Sequence, residues 1–133
     1  VNIILALGTR TTRMQTIADH LDANGAGQIR FYDGVMPAGG GAAGLLISAQ
    51  QLSIPSGSVV AGQLTLSPIA PNLNIGTVGV IAWARLVNGA GEFVMDLDCG
   101  IAGDGAAITL STLEATIGGA IQILSAVIID GNA

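Results

Sequence analysis

The chain of 133 residues contains no lysine, one histidine, one cysteine and four aromatic residues. Each shortage removes a class of function. The only cations are Arg10, Arg13, Arg30 and Arg85, against nine carboxylates, for a net charge of −5. Four scattered arginines on an acidic chain do not make the basic footprint that phosphate backbones require, so no nucleic-acid partner is expected. Cys99 alone can form neither an internal disulfide nor a cysteine-based metal cluster, and it reads as a small buried hydrophobe. Charged residues are 10% of the chain, well below the usual quarter. Long apolar runs are missing too. Half the residues are hydrophobic and the mean hydropathy is +0.67, yet Gly, Pro, Asn, Asp or Gln interrupts every run before eighteen residues. A membrane span is therefore not expected. In "VNIILALGTR" the arginine follows the apolar stretch, where a secretory signal would place positive charge before it.

Glycine and short apolar segments are abundant. One length of core suits a single domain over 1–133. Met14, Ile17, Ala18 and Leu21 recur at helical spacing after Thr11 or Thr12, either of which can cap, and Asn24-Gly25 is a natural stop. The spacing predicts one short helix near the N-terminus. The remainder reads as strands. "QIRFYD", "GLLISAQQLS", "GSVVAGQLTLSP" and "IGTVGVIAWARLV" are each bounded by turn residues, as are "FVMDLDCG", "AAITLS" and "GAIQILSAVIID". With a short strand at 3–7, the expectation is about eight strands in an antiparallel β-sandwich. The "NGAGE" turn joining the fourth and fifth of these segments marks the clearest hairpin. Several strands are apolar on both faces, which suits either a very central strand or a face covered by another subunit.

Candidate chemistry is sparse. "RFYDGVMPAGGGA" has the glycine content of a phosphate loop but no lysine, and a strand follows it where a helix would be needed. It reads as a pliable connection stiffened at Pro37. Asp96, Asp98 and Asp104 begin like a calcium loop without its closing glutamate, so at most a weak cation site is expected there. His20 has no nucleophile elbow to serve, and Glu92 and Glu114 stand alone. No enzyme, cofactor or metal is expected. Trp83 and Tyr32 are candidate interface anchors, with a core position the alternative for Trp83. A carbohydrate-binding module stacking sugars on either ranks last, because such sites carry several exposed aromatics and this chain has four in all.

The order of motifs carries more than any one of them. A capped helix precedes "QIRFYDGVMPAGGGAAGLLIS"; then come "GQLTLSPI", "GTVGVIAWARLVNGAGEFVMDLDCG" and the apolar "IQILSAVII". In this arrangement the chain resembles a family of small tailed-phage virion proteins, in particular the capsid cement, or decoration, proteins of podophage-like heads. The resemblance implies a jelly-roll sandwich on the outside of an icosahedral shell, often a homodimer or homotrimer, clamping neighbouring major capsid protein subunits. It supplies no catalytic residues. On this expectation residues 1–9 form an N-terminal arm able to add a strand to a neighbour, and Ile3, Ile4, Leu5, Tyr32, Met36, Pro37 and Trp83 are interface candidates. A tail- or fibre-associated adaptor is the alternative within the same class.

Overall fold

The computed structural model describes residues 3–130. Its one α-helix, α1, spans Leu7–Asp22 and is followed by ten strands. These are β1 (Gln28–Tyr32), β2 (Leu46–Gln51), β3 (Gly57–Val60), β4 (Gln63–Leu66), β5 (Gly79–Val80), β6 (Trp83–Val87), β7 (Phe93–Gly100), β8 (Ile108–Leu110), β9 (Glu114–Ala115) and β10 (Ile123–Ile129). A turn of 3₁₀-helix at Ala38–Gly40 interrupts the connection between β1 and β2.

Eight strands form one sheet in the order β2-β1-β6-β7-β8-β10-β4-β3, and β5 pairs with β9 beside it. The fold is mainly β with one helix, as expected, but not all antiparallel: Cys99 and Gly100 of β7 pair in parallel with Ile108 and Thr109 of β8. Chain connectivity dictates the sheet's shape. β2 and β3 are its two outer strands, yet only residues 52–56 separate them. Six residue steps reach at most about 22 Å. Seven strand spacings in a flat sheet would cover about 34 Å. The sheet therefore curls into a half-barrel, bringing its edges toward each other.

The concave face and α1 enclose one core. Ile29 and Phe31 of β1, Ala84 and Leu86 of β6, Leu64 and Leu66 of β4, and Ile108 and Leu110 of β8 meet Met14, Ala18 and Leu21 of the helix. The alternation within β1 and β6 produces this directly: every second side chain points inward. α1 packs chiefly on β3 and β4 and is tied down at both ends. Near its start, Gly62 N–H donates to Thr11 Oγ1 at 2.9 Å, and Arg13 pairs with Asp130 at 3.2 Å. Near its end, Ser56 N–H donates to Asp22 Oδ1 at 2.9 Å and Gly89 N–H to the Ala23 carbonyl at 3.2 Å.

Several local expectations change. The helix begins at Leu7, with Ala6 at its cap and no side-chain capping bond. Thr11 and Thr12 instead donate to the carbonyls of Leu7 and Gly8 one turn back. An arm of nine residues is thus shortened, since Leu7, Gly8 and Thr9 are helical, Ile3–Ala6 precede the helix without forming a strand, and residues 1 and 2 lie outside the described residues. "GSVVAGQLTLSP" is a hairpin, β3–β4, because Ala61 (φ 51°) and Gly62 (φ 76°) make a two-residue turn with both φ positive. "IGTVGVIAWARLV" is also broken. Ile81 turns inward and donates its N–H to Leu113, separating β5 from β6 and leaving Val78 and Val80 exposed.

Candidate interaction surface

The convex face of β1, β6 and β7 carries a ladder of stacked side chains. Cross-strand register places Tyr32 opposite Trp83 and Arg85 opposite Asp96. The Tyr32 and Trp83 rings stack with centroids 4.8 Å apart, and the Arg85 guanidinium lies 5.2 Å from the Trp83 ring and 5.0 Å from that of Phe93. Arg85 therefore sits in an aromatic slot, where cation–π attraction adds to its charge pairing. Its Nε donates to Asp96 Oδ1 at 2.8 Å and its Nη2 to Asp96 Oδ2 at 3.0 Å, a two-pronged pair with both side chains nearly buried. The hydrogen bonds to Asp96, followed by its charge, push the Arg85 pKa above its already high ordinary value, so this guanidinium stays charged.

The glycine-rich connection, residues 33–45, is strapped across this ladder. Arg85 Nη2 donates to the Gly41 carbonyl at 2.9 Å, and Trp83 Nε1 to that of Asp33 at 3.2 Å. At the neck, Asp33 N–H donates to the Leu45 carbonyl, and Asp33 Oδ1 accepts from Leu45 N–H at 3.1 Å. Gly40 explains the glycine content: its φ is +73°, and a Cβ there would stand 2.8 Å from the Phe93 ring. The loop is an internal cover held by polar contacts, with a backbone close enough to touch an aromatic face.

This geometry revises two interface candidates. Trp83 is 1% exposed and Tyr32 7%, both closed in by the chain itself, so neither is offered to a neighbour as an anchor. Pro37 is half-buried at the start of the strap, and Leu5 is half-buried before the helix. Ile3, Ile4 and Met36 are exposed. Residues not singled out from the sequence join them. Val35 is 92% exposed, and Leu45 and Leu46, on the other side of the loop neck, are exposed as well. β1 and β7 end, and β2 and β6 begin, at this same end of the sheet, beside β5 and β9. Val78, Val80 and Ile101 are exposed there as well. Strand alternation could not reveal this grouping, because it arises where strands end.

The three aspartates do not converge. Asp96 is committed to Arg85, Asp98 accepts from Ala107 N–H at 2.9 Å, and Asp104 accepts from Ile101 N–H at 2.9 Å. Each carboxylate holds its own stretch of chain, and no group of three metal-ligating side chains occurs among the described residues. Cys99, expected to be buried, is half-buried against the core; its desolvation, then the nearby Asp98 charge, pushes its thiol pKa up to about 12. No helix among the described residues is long and apolar enough to cross a membrane. Comparisons with protein-family models, curated proteins and solved structures find no match for this chain.

Proposed function

We propose that the protein is a non-enzymatic virion component that binds the outside of an icosahedral phage head and cements neighbouring major capsid protein subunits. In this reading the curled sheet plays the part of the jelly-roll sandwich of such proteins, and copies associate as dimers or trimers. One observation carries the reading: of seventeen exposed large hydrophobic side chains among the described residues, seven lie on segments that start or stop at one end of the sheet. Val35, Met36, Leu45, Leu46, Val80 and Ile101 offer area whose burial against a partner is favourable. The strap that carries Val35, Met36 and Leu45 is itself pinned at Asp33, Gly41 and Leu45, so little order has to be gained there on docking. A protein that binds only the assembled shell shifts stability toward assembly by mass action, which requires no chemistry. The carbohydrate-binding alternative is weaker, because Trp83 and Tyr32 are covered and cannot serve as a stacking platform.

The test is to image particles made with and without the protein and to heat both. Copies on the head exterior, with the apolar end toward the shell and a lower temperature of DNA release when the protein is omitted, support cementing. Copies on the tail would favour the adaptor reading; heads of unchanged thermal stability would refute cementing. Replacing Val35 and Leu45 together by Asp should lower head occupancy while the isolated protein keeps its melting temperature.

A further inference from the structure

A second feature lies at the other end of the same convex face. Gln28 pairs across the strands with Gln51 and Val87, whereas the strap and apolar residues lie at the Tyr32 end. Here Gln28, Arg30, Gln51 and Asn88, with the glycine turn 89–91, line an open hollow of about 380 Å³. That is within the size range of small-molecule sites. Three properties distinguish it.

First, Arg30 lacks a counter-ion in a chain with more than twice as many carboxylates as cations. The two ion pairs among the described residues use Arg13 and Arg85. Second, its orientation is set. Nε donates to Gln28 Oε1 at 3.1 Å, and Nη2 is directed toward the 89–91 turn, 3.9 Å from where a Gly91 Cβ would stand. Neither terminal nitrogen donates to any described residue, which leaves the end-on fork of the guanidinium open. Third, its surroundings add donors, and no carboxylate is among the residues that line the hollow itself. Register places Arg30 opposite Arg85, whose own charge is already met by Asp96, so that Asp96 is not free to serve Arg30. The Gln28 Nε2 and the Gln51 side-chain amide are also uncommitted. Asn88, by contrast, is used up within the turn: its Oδ1 accepts from Ala90 and Glu92 N–H, and its Nδ2 donates to Glu92 Oε1 at 3.0 Å, which engages that rim carboxylate.

We propose that this hollow binds a carboxylate. The two Nη atoms of Arg30 grip its oxygens in the planar two-pronged arrangement that guanidinium favours, and the glutamine amides receive neighbouring hydroxyl or carbonyl oxygens. The carboxylate belongs either to a small acid or to an acidic side chain of another protein; the chemistry is shared. The site is independent of the virion reading, since it uses none of the apolar residues that carry it.

Amide chemical shifts of the full chain, followed while sodium glucuronate or the blocked peptide acetyl-Glu-amide is added at constant ionic strength, test this. Saturating shifts confined to residues 28–30, 51 and 88–91 with either acid support the site. Glucuronate alone assigns it to a small acid, and the peptide alone to a protein side chain. Glucose, which has no carboxylate, should leave these amides unmoved. Arg30→Gln should weaken binding about ten- to hundredfold, the range expected for charge-assisted hydrogen bonds. Gln51→Leu, at an exposed position, should weaken it about two- to tenfold and carries the test if the Arg30 variant does not fold. Shifts that fail to saturate with both acids, that glucose reproduces, or that survive both substitutions overturn the proposal.

Discussion

Replacing Arg85 by Met tests the account of the convex face most directly. The side chain is 12% exposed and its partner Asp96 7%, and two nitrogen–oxygen contacts of 2.8 and 3.0 Å join them. Removing the guanidinium strands a nearly buried carboxylate, which costs about 3–5 kcal/mol, far more than an exposed pair would. A chain of this length has an unfolding entropy near 0.28 kcal/mol per kelvin, so the melting temperature should fall by about 10–18 °C. The double variant Arg85→Met, Asp96→Leu removes both charges and should recover most of the loss, to within about 1–2 kcal/mol of the parent. Urea denaturation followed by fluorescence measures both, because Trp83 is the only tryptophan and stacks beside Arg85. If the single and double variants lose equal stability, the cost comes from packing or the strap, and the buried-pair argument fails.

Three other outcomes follow from individual residues. Gly40→Ala should lift the strap from Phe93 and admit water to Trp83; a red-shifted emission is expected, and unchanged emission would show that the strap does not depend on this approach. Cys99 should resist alkylation at pH 8 in the native state and react readily in urea. Its folded pKa of about 12 lies above the ordinary 9.0, so its contribution to stability is complete below pH 9 and disappears as the pH rises toward 12. A melting temperature flat over that interval would contradict the burial. Ala61→Asn should raise the urea midpoint by an amount equivalent to about 0.5–1 kcal/mol, because Ala61 occupies a left-handed conformation that Asn tolerates better. A lower midpoint would place the constraint elsewhere.

Local signals and non-local pairings were unequally readable. The β6–β7 hairpin was visible from its Asn-Gly turn and from alternation, and the structure places Arg85 opposite Asp96, as that alternation implies. Those two residues share a face of one predicted hairpin, so their pairing could have been found from sequence, and with it the reason Trp83 is covered. The helix was visible from Met14, Ile17, Ala18 and Leu21. Its start was not, because threonines that bond back to a preceding turn look the same in sequence as threonines that cap. The β3–β4 hairpin was hidden by an Ala-Gly turn, a weak signal beside Asn-Gly. The pairing of β4 with β10, separated by more than fifty residues, has no local signature, and it is such pairings that decide between one curled sheet and two facing sheets. The Arg30 hollow was missed for a related reason: Gln28, Gln51 and Asn88 are distant in sequence and meet only through register.

The short link between β2 and β3 bears on how this chain survives crowding. Proteins usually protect the rim of an open sheet from its neighbours with charge, lysine above all. Neither rim strand here, β2 (LISAQQ) or β3 (GSVV), carries a charged residue. Joining the first and last strands of the sheet by residues 52–56 draws the two rims toward each other instead, and α1 packs against β3. Rim protection then rests on the path of the backbone, and cutting that link should free two uncharged rims at once.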